Sequence, residues 1–331
     1  MSIKLLKVNK QLVDELVAAI KQNLAKDENM ISILSEIICL GKEAIYRRLR
    51  GEVDFSFEEI VRISLRFKIS LDELASINNT KKAIFDMKLH QLPQSNLYNL
   101  YYKNLLHYIE IFQLMNHAKK SRLRSAANTI PFYFLLAHRN LSRFRLYKLI
   151  YQMESNKPKF PFSLMEPSAE IEEAEKQLYT ELRQVERVYY ILDNNVILST
   201  VRDIEYFHGC NMVSDKELQL LKKELLLLMD ELESITVSGT SNNSDVEIYL
   251  SDADFDMSYI HCEYDEHEYC LLRAYWINFL STRNAEICQI QKDWIESLKC
   301  YSVLITKSGE NKRYQFIKDQ RELIMKLGAR K

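Results

Sequence analysis

Hydrophobic positions recur every three to four residues over most of this chain, which predicts helices. Leu12, Leu16, Ala19 and Ile20 share one face of a first helix, roughly 12–24. Ile31, Leu34 and Ile38 mark a short second one, about 30–38, and Ile45 and Leu49 the inner face of a third that begins at Lys42. Ile60, Ile63, Ser64 and Phe67 turn inward on a fourth. Residues 78–94 are polar at their ends and close with Pro93, the pattern of a linker. Longer periodic stretches fill 95–236, with helices expected at 97–120, through 121–152, and at 169–192, 195–207 and 214–236. After a polar loop at 237–245 the pattern changes. Residues 246–250, 257–264 and 268–276 are rich in Val, Ile, Tyr and Cys and are separated by short acidic turns, which predicts three antiparallel strands. Two helices follow, roughly 284–301 and 309–327. The expected fold is therefore mostly α. It has a five-helix N-terminal domain (1–77), the linker (78–94), a helical domain (95–236) and a small α+β domain (237–331).

Caps and turns sharpen the N-terminal part. Cys39, Leu40 and Gly41 form the turn between the second and third helices, and Gly41 is expected to supply any positive φ that a tight turn requires. Gly51 is placed to end the third helix as its C′ residue. Ser56 with Glu59, and Ser70 with Glu73, each have capping-box spacing, and the second box predicts the start of a fifth helix.

The turn at Leu40 and Gly41, Ile45 with Gly51 six residues on, and the tail Phe67–Leu74 together resemble the Cro/phage-repressor family of helix-turn-helix domains. The resemblance covers about a fifth of the chain. It implies that the third helix enters the major groove of double-stranded DNA as part of a homodimer. By position, Lys42, Glu43, Tyr46 and Arg47 would read base edges, and Arg48 and Arg50 would lie toward phosphates, with Lys68 assisting. Arginine suits guanine because its planar fork matches O6 and N7 together, and glutamate accepts from cytosine N4. Segments such as NTIPFYFL and LSRFRLYKLIYQ are similar to helix-turn-helix proteins of Bacteroidota-type bacteria, a resemblance that implies no ligand.

Charge complicates this picture. The 331-residue chain has a formal net charge of −1, and residues 1–77 hold 12 Lys+Arg against 12 Asp+Glu. Positive charge is concentrated only at 42–50, where Lys42, Arg47, Arg48 and Arg50 face Glu43 alone. The neutral total, and a second helix carrying Ser32, Ser35 and Glu36 where the family commonly has a Gln and an Ala, motivate an alternative. In that reading the protein is an interaction or scaffold protein with a degenerate helix-turn-helix. Residues 117–153 contain eight basic residues and no acidic one. They suit DNA-backbone contact, but the aromatics among them favour pairing with the acidic stretch at 170–181.

Six scattered cysteines without a CxxC pair read as reduced thiols of a cytoplasmic protein, and no stretch suits a signal peptide or a membrane span. Asp252, Asp254, Asp256 and Glu263 fall at calcium-loop spacing, but Met257 stands where the sharp turn needs glycine. His261, Cys262, His267 and Cys270 match no zinc finger, and strand alternation sends His261 and Cys262 to opposite faces. No motif of a hydrolase, a nucleotide-binding loop or a metalloprotease is present, so neither a cofactor nor catalysis is expected. An enzyme would need a pocket gathering His261, Asp256 or Cys270. The aromatics Tyr249, Phe255, Tyr259, Tyr264, Tyr269, Tyr275, Trp276 and Trp294 are expected to be core, the sharper option being a sensor pocket for an effector of unknown kind.

Overall fold

The computed structural model describes residues 13–21, 23–24, 28–67, 69, 71, 85–87, 97–153, 160–255, 257–275 and 278–329. The chain divides into two compact units, Met1–Ile84 and Phe85–Lys331.

The first unit contains α1 (residues 13–21), α2 (Met30–Ile38), α3 (Lys42–Leu49) and α4 (Phe57–Phe67). Leu16, Ile20, Leu34, Ile38, Ile45, Phe55, Ile63, Phe67 and Ile69 form its core. Of the predicted inward positions, Leu16, Ile20, Leu34, Ile38, Ile45, Ile63 and Phe67 belong to this core, Ala19, Ile31, Leu49 and Ile60 are half-buried against it, Ser64 is buried, and Leu12 falls outside the described residues. The expected fifth helix and its capping box, the Lys68 contact and most of the 78–94 linker fall outside the described residues.

The second unit overturns the expected fold class. Instead of a helical domain followed by a small three-stranded one, the described residues form a single mixed sheet of nine strands. In chain order its elements are β1 (Asp86–Met87), α5 (Leu97–His117), β2 (Ser121–Ala127), α6 (Phe132–Leu135), α7 (Arg139–Met153), α8 (Ala169–Leu182) and β3 (Arg187–Asp193). Then come α9 (Leu198–Gly209), α10 (Asp215–Ser238), β4 (Thr240–Ser241), β5 (Ser244–Ser251), β6 (Tyr259–Tyr264), β7 (His267–Tyr275) and β8 (Asn278–Thr282). The chain continues through α11 (Ala285–Leu298), β9 (Ser302–Leu304) and α12 (Glu310–Lys326). The strand order is β1-β8-β7-β6-β2-β3-β5-β4, with β9 also pairing with β5.

Residues 121–127, expected to be helical, form β2, and 187–193, expected at the end of a helix, form β3. The three strands anticipated at the C-terminus exist. However, only β6 and β7 are antiparallel neighbours, and β5 lies beyond β2 and β3, parallel to β3. β2 is the boundary strand. It pairs in parallel with β3 and antiparallel with β6. Parallel neighbours require crossovers, which α6–α8 and α9–α10 supply, whereas β6, β7 and β8 follow one another by short connections.

The two faces of the sheet differ in chemistry. Leu123, Val188, Tyr190, Leu192, Val246, Ile248, Cys262 and Leu271 point into the main core with the buried faces of α5, α7, α8, α9, α10 and α12. Ala126 and Ile191 point the other way, against Ile295 and Leu298 of α11. Arg124 also faces this second side and is 3% exposed. Its Nη1 donates to Glu263 on β6 at 2.8 Å and its Nε to Glu296 on α11 at 2.8 Å. Lys292 on α11 lies 3.3 Å from Glu263 and 3.4 Å from Glu268. Gln291 donates to the carbonyls of Ile260 and Leu271, both at 3.2 Å. The helix is thus held to the sheet largely by charge and hydrogen bonds. His261, fully buried, stands among Arg124, Lys292, Glu263, Glu268 and Glu296, and its Nδ1 lies 3.3 Å from Arg124 Nη1.

Two outcomes are expected. Arg124→Met leaves Glu263 and Glu296 without their shared partner and should cost about 3–5 kcal/mol in urea unfolding. A loss below about 1 kcal/mol would show that the lysines replace it. Burial, together with the Arg124 and Lys292 charges, lowers the His261 pKa to about 4. The unfolded chain therefore takes up a proton near pH 6.5 that the folded chain refuses, and stability should fall as pH drops from about 6.5 toward 4. His261→Asn should flatten that slope. An unchanged slope would remove His261 as its source.

Candidate nucleic-acid interface

α3 is positioned by local signals on both sides. Asn29 caps α2, its Oδ1 accepting from the N–H groups of Ile31 (3.0 Å) and Ser32 (3.2 Å). The turn that follows departs from expectation. Its positive φ belongs to Cys39 (φ 55°, ψ 41°), whereas Gly41 is extended (φ −67°, ψ 154°) and serves as the N-cap of α3. Gly41 has no side chain to cap the helix, and a Cβ there would meet nothing within 4 Å. Gly51 does behave as predicted. At φ 74° it donates to the Arg48 carbonyl at 2.9 Å, and Glu52 N–H donates to the Arg47 carbonyl at 2.9 Å, closing a Schellman turn.

Ile45 anchors α3 in the core with no exposed surface. The opposite side presents Lys42, Glu43, Tyr46, Arg47 and Arg50 to solvent, with Tyr46 47% exposed. Five of the six expected contact residues are therefore on one outward surface.

Arg48 is the exception, and its expected role toward phosphates is not available to it as placed. Its Nε and Nη2 donate to the two oxygens of Glu59, each at 3.0 Å, and its side chain is 17% exposed. Glu59 is the capping-box glutamate at the start of α4. It accepts from the Ser56 N–H at 2.8 Å, and its own N–H donates to Ser56 Oγ at 3.2 Å. Burial opposes ionisation of Glu59, but Arg48 and the Ser56 N–H outweigh it and hold the carboxyl below its usual range. Arg48 thus locks α3 to α4.

One relevant residue escapes the sequence reading. Glu52 lies 3.0 Å from Arg50 and 3.6 Å from Arg47, and Glu43 lies 3.7 Å from Arg50. The exposed surface therefore carries three cations and two carboxylates rather than a plain basic stripe. These pairs are open to water and hold the arginines only weakly.

The second unit brings only some of the other candidates together. His261 and Cys270 are cross-strand partners on one face of the sheet, and Cys262 belongs to the core on the other. Asp252 pairs with Lys312 at 2.6 Å, and Asp256 lies outside the described residues. Among the described residues no group of three or more His, Cys, Asp or Glu is placed to hold a metal ion. Of the basic stretch, Arg139 meets Glu172 at 2.8 Å, as the acidic-helix reading expects. Lys148 pairs with Asp203 instead, and Arg143 donates to the carbonyls of Met165 (2.6 Å) and Phe162 (2.8 Å). Phe255 and Tyr269 are buried as core, Tyr249, Tyr259 and Tyr264 are half-buried, and Trp294 is 48% exposed. The side chains of Tyr275 and Trp276 lie outside the description.

Among the described residues no helix is long and apolar enough to cross a membrane. Comparison with known protein families, curated proteins and solved structures finds no match.

Two substitutions test this account of α3. Cys39→Asn places a residue tolerant of left-handed backbone where the β-carbon of cysteine is strained, and should stabilise the unit by roughly 0.5–1 kcal/mol in thermal or urea unfolding. A destabilisation would place the turn elsewhere. Arg48→Ala should destabilise the unit by about 1 kcal/mol, because a half-buried carboxylate loses its charged partner. The Arg48–Glu59 contribution should itself vanish as pH falls through the lowered Glu59 pKa, since a protonated carboxyl no longer attracts the guanidinium.

Proposed function

We propose that the protein is a sequence-specific DNA-binding transcriptional regulator of the cytoplasm that inserts α3 into the major groove. The observation that carries this reading is the division of labour on α3. Arg48 is spent on fixing the helix to α4, and Lys42, Glu43, Tyr46, Arg47 and Arg50 stand together on its outer surface. A rigid helix offering a mixed set of donors, acceptors and one aromatic ring suits base-edge reading better than indiscriminate attraction to phosphate. A single short helix supplies little affinity, so a homodimer on two half-sites belongs to the proposal. No reaction is assigned to the second unit.

The competing scaffold reading draws on Glu43 and Glu52, which partly cancel the arginines. DNA selection against a random duplex library, followed by a salt titration on the selected site, separates the two. A regulator gives one enriched sequence. In that case Arg47→Ala should relax preference at one base position, at a cost of about 1–3 kcal/mol. Arg50→Ala should weaken all sequences alike and reduce the salt slope by about 1. No enrichment, or enrichment that survives both substitutions unchanged, would move the function to protein interaction.

A further inference from the structure

Two partly buried arginines of the second unit, each without a carboxylate partner among the described residues, act on one another electrostatically. Arg145 on α7 and Arg273 on β7 both converge on the short segment that leaves the C-terminal end of β2. Arg273 donates through Nη1 to Thr129 Oγ1 at 2.9 Å and through Nη2 to Asn128 Oδ1 at 3.3 Å. Arg145 donates through Nη1 to the Tyr101 hydroxyl at 3.1 Å, and its guanidinium carbon lies 4.6 Å from the centre of the Phe132 ring. Every acceptor given to either guanidinium is a neutral oxygen. The carboxylate nearest to them in the network, Glu175, stands behind Tyr101, which donates to it at 2.6 Å. Burial pushes the Glu175 carboxyl above its usual range, which makes it a poor counter-charge.

The two cations also act on each other. Burial, and then the Arg145 charge, hold Arg273 below its ordinary basic range. A third donor stands close by. Asn104 lies one turn beyond Tyr101 and one turn before Tyr108 on α5, and Arg145 acts electrostatically on both tyrosines. The Asn104 Nδ2 is enclosed and has no acceptor. A buried amide without a partner costs about 1–3 kcal/mol, so a structure that keeps one on the helix face between the two tyrosines that Arg145 acts on is short of acceptors on that side. Asn128, Thr129, Phe132, Arg145 and Arg273 are each partly buried and keep some surface in contact with solvent. The position within the fold agrees. β2 is the end strand of the parallel set β2-β3-β5, and the carboxyl ends of parallel strands are where open α/β sheets receive ligands.

We propose that Arg145, Arg273 and Asn104 form a binding site for a small oxyanion, the phosphoryl or carboxylate group of a small molecule. Two guanidiniums supply paired donors in planar forks, and the amide supplies a further N–H. The site stands whether or not α3 reads DNA.

The test is thermal unfolding of the full chain in sodium phosphate, sodium succinate and sodium chloride at matched ionic strength. A saturable rise in Tm with phosphate, with succinate, or with both, and none with chloride, is expected. Which anion acts identifies the phosphoryl or the carboxylate source. Arg145→Gln and Arg273→Gln should each weaken the midpoint of that response about tenfold, the equivalent of one charged hydrogen bond. Asn104→Asp keeps both arginines and places a carboxylate among the donors. It should raise Tm without added anion and abolish the response. Equal shifts in all three salts, or a lowered Tm for Asn104→Asp with the anion response intact, would overturn the proposal.

Discussion

A guanidinium set inside a β-sheet layer has to be neutralised on the spot, and Arg124 is neutralised by carboxylates from two distant parts of the chain. Glu263 arrives on β6 and Glu296 on α11, so antiparallel pairing of β2 with β6 and docking of α11 are fixed by one interaction. Removing a charge from water costs several kcal/mol, which only near-ideal partners return. Here both contacts are 2.8 Å, and the Tyr189 ring lies 5.9 Å from the guanidinium carbon. The arrangement also explains the contrast between the two faces of the sheet. The main-core face is apolar, whereas the α11 face adds a polar code that matches one register.

Local signals carried the parts of the fold that the chain announces by itself. Asn29, the Ser56–Glu59 box, the Ser214–Glu217 box and Gly51 sit within a few residues of the ends they define, and each makes the contact its chemistry suggests. β2 has no such signal. Its residues, Ser121 to Ala127, include two arginines, two serines and two alanines, which are poor strand formers. It is a strand because β3 and β6 flank it. β3 is different, since Val188, Tyr189, Tyr190 and Ile191 are good strand formers and a turn follows at Asn194 and Asn195. Its signal was present and was absorbed into the periodicity of the helix before it. The placement of β5 beside β3 was out of reach of local reading, because strand order depends on crossovers of some fifty residues.

The same distinction governs α3. Its outward surface was legible because helical spacing puts Glu43, Tyr46 and Arg47 away from Ile45, while Lys42 and Arg50 stand at its exposed ends. Arg48 was not legible as a structural residue, because its partner Glu59 belongs to another helix and is already employed in a cap. Nor was the strain at Cys39, since glycine two residues on was the natural choice for a positive φ. With Glu43 and Glu52 beside the arginines, long-range attraction to a polyanion is weak. If α3 reads DNA as proposed, recognition by this surface has to come from close complementary contact.

Where the arginines find their acceptors separates what holds the molecule together from what is left to meet something else. Arg48, Arg124 and Arg139 end on carboxylates, and Arg143 on two carbonyls with Glu217 at 3.9 Å. These residues are accounted for by the fold. Arg47 and Arg50 share one exposed glutamate, and Arg145 and Arg273 meet only neutral oxygens. Exposed pairs contribute little, and half-buried cations without a counter-charge work against folding. A chain with 46 acidic residues has carboxylates enough to satisfy its 45 lysines and arginines. Shortage therefore does not explain the unpaired ones, and in the proposals made above their positions, on an outward helix surface and at the end of a boundary strand, are where an external anion would complete the set.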